Sequence, residues 1–171
     1  MEAKVSAVVF CLLLLPGFFH TEQVVHANFV EPKKGDVCHT CEMPIGENLS
    51  RAAVIMFQDG KHVKFHGAKC MFTYYLNIER YSKQYRKKNV ATLHVTDFNT
   101  LERVRAENAH YVIHSSEKGP MGDEPIPFKE IASAEKFTKE HGGIILDYEL
   151  ITPEIINALN NIAPDNSPVG K

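Results

Sequence analysis

The chain has 171 residues, 44% apolar and 23% charged, with 19 Lys and Arg against 21 Asp and Glu for a formal net charge of −2. That near-neutral balance argues against nucleic acid as a partner, because neutralising phosphates needs a concentrated basic surface. Four cysteines, one of them inside the leader described next, leave an odd and sparse set that does not read as a secreted disulfide scaffold.

Lys4, the apolar run Val5 to Phe19 and "VVHA" at Val24–Ala27 follow the order of a secretory signal peptide, with cleavage expected after Ala27. The run is shorter than the roughly 20 apolar residues that span hydrocarbon, and Pro16-Gly17 interrupts it. Cys11 follows "AVVF", without the small residue that normally precedes a lipidated cysteine. An exported, periplasmic protein with no lipid anchor is expected. Residues 28–50 then read as an extended segment that carries "DVCHTCEMPIGENLS".

"RAAVIMF" (Arg51–Phe57), an Asp59-Gly60 turn and "HVKF" (His62–Phe65) give a hairpin. Ala68, Met71, Phe72, Tyr75 and Leu76 recur at helical spacing, and Asn89–Phe98 reads as another strand. Between them, "RYSKQYRKKN" (Arg80–Asn89) reads as a solvated connector. A second round follows: strand material broken by a turn over Arg103–His114, a short extended piece at Pro125–Phe128, an amphipathic helix from Ile131 stopped by Gly142-Gly143, and a strand over Ile144–Leu150. Thr152-Pro153 starts a short helix reaching Asn161, and "APDNSPVGK" lacks the apolar content to pack. The expected fold is α+β, two similar small ββα(β) lobes packed together (51–98 and 99–151), with a short C-terminal helix and tail over 152–171.

The chemistry lies in the sulfur loop, where Cys38, Cys41 and Met43 fall within six residues. A thioredoxin-like pair needs a helix at the first thiol, and Pro44 disfavours one here. Haem attachment needs His after the second Cys, and Glu42 stands there. Blue copper has the residue types without the spacing. Zinc would need a second ligand pair, which the sequence does not display. Thiolate and thioether together favour Cu(I). A second loop thioether, Met121, lies in "SSEKGPMGDEP", and His114, on a strand ending near that loop, is a candidate additional ligand. Cys70 reads as a buried, inert thiol on the apolar stripe of the first helix, and His66 as that helix's cap.

With "CHTCEM", "GAKCMFTYY", "VTDF", "AHYVIHSSEKGPMG" and "FKEIASAEKFTKEHGGIILDYEL" in this order, the chain resembles the NosL family over roughly Asp36 to Leu150. The resemblance implies two similar ββα-containing lobes and one Cu(I) held by sulfur. It also implies delivery of that copper for maturation of nitrous-oxide reductase, without catalysis. By position, Cys41 and Met43 match the family's Cys-Gly-Met, and Met121 its Pro-Met methionine. Glu42 departs from the usual Gly, which bears on the loop's backbone path. The absent lipidation signal weakens a membrane-tethered picture. A monomer is expected, with a copper-enzyme client and scope for a peripheral membrane partner. The alternatives are a thiol oxidoreductase, an organomercurial-lyase-like enzyme using Cys38, Cys41 or Cys70, and a zinc-stabilised interaction module.

Overall fold

The computed structural model describes residues 30–46, 49–119 and 121–160; the expected leader and the "APDNSPVGK" tail lie outside them. β1 (Ala53–Phe57) and β2 (His62–Phe65) form an antiparallel hairpin with Ile55 opposite Val63. Gly60 makes the turn at φ +82, a backbone conformation that costs glycine little, and Asp59 Oδ1 accepts the Lys61 N–H at 3.1 Å. α1 (Ala68–Leu76) and the single turn α2 (Ile78–Tyr81) lead through the basic connector to β3 (Val90–Thr96), which returns on the other side of β1. β1 is therefore central. All five of its residues are buried, which is why "AVIMF" is a continuous apolar run and not an alternation.

The same plan recurs. β5 (His110–Ile113) pairs with β6 (Ile126–Phe128), α3 (Ile131–His141) crosses over, and β7 (Ile144–Asp147) pairs with the free side of β5. The strand orders β2-β1-β3 and β6-β5-β7 match position for position. The expected α+β architecture of two similar ββαβ units is the one observed, closed by α4 (Pro153–Asn160), whose start Thr152 caps through its hydroxyl.

One local expectation gains a detail and another needs correcting. The stretch Arg103–His114 supplies strands to both sheets: β4 (Arg103–Arg105) extends the first sheet beside β3, and a 3-10 turn at Ala106–Asn108 carries the chain into β5. The last strand stops at Asp147 because Tyr148–Leu150 coils into a 3-10 turn.

β5 is the wall between two cores. Its side chains alternate, so Tyr111 and Ile113 join the larger core with Ile55, Phe65, Met71 and Phe72, while Val112 faces Ile126, Phe128, Ala134 and Phe137. Tyr111 is fully buried, its hydroxyl donating to the Ala106 carbonyl at 2.7 Å, and Phe72 meets its ring edge-on at 5.3 Å. The connector is exposed at Lys83, Arg86, Lys87 and Lys88, and the Arg86 guanidinium donates to the carbonyls of Ser82, Lys83 and Tyr85.

Candidate metal centre

The sulfur loop folds as a tight hairpin. Val37 bridges Pro44, the Cys38 N–H donates to the Met43 carbonyl at 3.0 Å, and the Glu42 N–H donates to the Cys38 carbonyl at 2.9 Å. Closing the turn this sharply puts Glu42 at φ +61, in the left-handed region. The chain thus follows a glycine-like path with a glutamate in the glycine position. Glu42→Gly is expected to stabilise the apo protein by about 0.5 kcal/mol, since a left-handed penalty of about 1–2 kcal/mol is relieved and about 0.5–1 kcal/mol of extra chain entropy is lost. Glu42→Val should destabilise it, because branching at Cβ worsens the clash. Thermal unfolding that ranks Val above Glu would contradict this account.

The hairpin faces the junction of β2 and α1. His66, just past the end of β2, and Cys70, in the first turn of α1, both reach the hairpin from this junction. Two bonds dock the hairpin there: Thr40 Oγ1 donates to the Cys70 carbonyl at 2.7 Å, and the His39 N–H donates to the Lys64 carbonyl at 3.1 Å. As a result the Sγ atoms of Cys38, Cys41 and Cys70 and a ring nitrogen of His66 all lie within 4.8 Å of one another. Ligands around a tetrahedral ion with bonds of about 2.3 Å sit about 3.8 Å apart, so small side-chain adjustments complete a shell.

His66 is set up to be a ligand. Its Nε2 lies 2.9 Å from the Pro44 carbonyl, which can only accept, so the proton resides on Nε2. Nδ1, 3.3 Å from Cys41 Sγ, is left with its lone pair aimed into the cluster. Cys38 is fully buried and Cys70 nearly so, whereas Cys41 is half-buried and forms the accessible edge.

The cluster divides its protons unevenly. The Cys70 thiol donates to Cys38, and the backbone N–H groups of Cys41, Thr40 and His66 also point at that sulfur, so the Cys38 thiol is held down at about 4 against burial. Cys70, donating to that thiolate in a buried setting, is pushed up; burial also raises Cys41, offset in part by the Met43 N–H. Reduced apo protein should therefore carry about one thiolate per chain at neutral pH. The unfolded thiol ionises near 9.0, so the stabilisation from Cys38 is complete above that pH and is lost as pH falls through about 4. A thiolate-absorbance titration that finds no thiolate at pH 7 would refute this charge state.

Of the residues singled out from sequence, Cys38 and Cys41 stand together in the cluster. Met43 closes the hairpin with its side chain 45% exposed. Met121 is half-buried against the larger core, in a turn closed by reciprocal Gly119 and Gly122 backbone bonds, and its carbonyl accepts the Lys69 ammonium one residue before Cys70. His114 is exposed at φ +57, its Nδ1 2.9 Å from Asp123 Oδ2, and is not among the four clustered donors. Two readings need correction. His66 does not cap α1, since Gly67 occupies the cap without a side chain. Cys70 is buried as expected, yet its thiol faces Cys38. Little in the sequence marks this pair, because Cys70 follows the packing stripe of α1 and His66 lies before the extended Gly67.

No curated protein matches the chain by sequence. The fold is similar to that of the copper chaperone NosL from Shewanella denitrificans, with a TM-score of 0.60 and 22% identity over 71% of this chain and 93% of that one. The NosL family model matches residues 29–156, most of the sequence and all of both ββαβ units. The chain belongs to the NosL family.

Proposed function

We propose that this protein is an exported carrier of Cu(I), which it holds through Cys38, Cys41, Cys70 and His66 and surrenders to a copper enzyme, with nitrous-oxide reductase the expected client. One observation carries the reading: three thiols and an oriented imidazole converge from two chain segments, with Cys41 on the accessible edge. Soft thiolates favour the cuprous ion. The family membership and the copper chaperone with a similar fold lend support. The ion is cargo here, so the mechanism is ligand exchange without catalysis. An incoming ligand from the client would meet Cys41 first. Met43, exposed two residues on, and Met121, beside α1, are the thioethers that would take over a coordination position as the buried thiolates let go. The leader is proposed to be removed after Ala27, which would leave the protein free in the periplasm.

The test is a titration of reduced protein with Cu(I) against a competing chelator. One ion per chain is expected, and the absence of binding would end the proposal. A second reading has its own support, since three Cys and one His also make a closed zinc shell. Metal removal separates the two. The hairpin is already held by Thr40, His39 and its own backbone bonds, so a carrier should keep its circular dichroism under strong chelation. A zinc-dependent module should lose it.

A further inference from the structure

We propose that Glu124 is the positioning residue that sets Cys70 in the metal cluster, by gripping the first turn of α1 from the second ββαβ unit; this rests on the four-donor reading above. Glu124 is only 3% exposed and lies on the segment that links the Met121 turn to β6. The first N–H groups of a helix have no partner within it, and the cap Gly67 offers no side chain. Glu124 supplies the acceptor: its carboxylate takes the N–H of Lys69, at 3.4 Å, and that of Ala68.

The fit is close. A Cβ at Gly67 would overlap Glu124 Oε1, and one at Gly119 would overlap Oε2. Oε2 has no hydrogen-bond partner among the described residues. Burying a carboxylate with one oxygen unpaired is costly, so what it holds must matter to the fold or to the site. A second tie runs beside it: Lys69, itself 5% exposed, donates from Nζ to the Met121 carbonyl. Arg51 and Glu117, paired at 2.6 Å, anchor the same loop to the start of β1. The two residues that precede Cys70 in α1 are thus both fastened to the 115–124 loop. Because a helical turn is stiff, those bonds fix where the Cys70 sulfur points.

The experiment compares Glu124→Gln with Glu124→Asp. Glutamine keeps the reach and drops the charge; aspartate keeps the charge and is one methylene short of the helix. Co(II) serves as the spectroscopic probe and Cu(I) competition as the affinity measure. Glu124→Gln should match wild type. Glu124→Asp should keep its amide circular dichroism, lose about one third of the thiolate-to-cobalt charge-transfer intensity, since one of three thiolates leaves, and bind Cu(I) about tenfold more weakly. Aspartate with full intensity and affinity would overturn the proposal, as would glutamine losing as much as aspartate. If Glu124→Asp does not fold, Gly119→Ala displaces the carboxylate from the other side and should give the same loss; full intensity there would overturn it. Wild-type protein that lacks a three-thiolate spectrum would instead sink the four-donor reading itself.

Discussion

Replacing Cys70 with alanine is expected to weaken Cu(I) binding by about 100-fold, while Met43→Ala changes it by no more than a few-fold. Four-ligand structural sites of this kind bind with roughly 10–16 kcal/mol, so one ligand accounts for about 3 kcal/mol, a factor near 100. Cys70 contributes a buried sulfur that already donates to the Cys38 thiolate, within 4.8 Å of the other donors. Met43 has its side chain exposed and joins the hairpin through its backbone. Removing the Cys70 sulfur also withdraws the main donor to the Cys38 thiolate, so the apo protein should lose stability at neutral pH as well. Competition against a chelator on the two variants decides the matter. Equal affinity for Cys70→Ala and wild type would remove Cys70 from the site, and a large loss in Met43→Ala with none in Cys70→Ala would move the ion to the thioethers.

The contrast between these two residues also explains what the sequence could and could not convey. The CxxC thiols are legible because they are local: their spacing and the Pro44 stop forecast a non-helical sulfur loop without reference to the rest of the chain. Cys70 sits 29 residues beyond Cys41 on a helix whose apolar neighbours Met71 and Phe72 do enter the core, so its pattern is that of packing. What makes it a donor is the docking of a hairpin onto the β2–α1 junction. That docking is fixed by Thr40 bonding a backbone carbonyl, an interaction with no periodic signature. The fold behaves likewise. The Asp59-Gly60 and Gly142-Gly143 punctuation marks the hairpin and the end of α3 because special backbone angles need particular residues. The place of β4 in the first sheet was less visible, since a three-residue strand is assigned to a sheet only through its partner β3.

Phe128→Ala should destabilise the protein by about 3–5 kcal/mol, the usual loss for truncating a buried aromatic, and this is a large share of the roughly 5–15 kcal/mol that holds a domain folded. Among the described residues the second core has five buried members, Val112, Ile126, Phe128, Ala134 and Phe137, with Phe98 and Ile145 packed against it, so few neighbours can refill the space. Phe128 also contacts Phe98 and Phe137, with ring centroids 5.6 and 5.0 Å away. Two similar units alone would give two separate melting events, but β5 argues for one. Tyr111 and Ile113 are packed in the larger core while Val112, between them, is packed in the smaller. Among the bonds that join the units, the Phe98 N–H donates to the Pro127 carbonyl at 2.9 Å, and the Lys129 N–H donates to Asp97 Oδ2 at 2.6 Å. Losing the small core therefore frees the strand that completes the large one. The expected result is a single urea transition, shifted as a whole, with far-ultraviolet dichroism and tyrosine fluorescence coincident in wild type and variant. Tyrosine is the only intrinsic reporter of useful strength, because the chain has six Tyr and no Trp. Below the transition the variant should still bind Cu(I), since its four donors belong to the hairpin and the β2–α1 junction. Two resolved transitions, with the tyrosine signal holding while part of the dichroism is lost, would show that β5 does not couple the units.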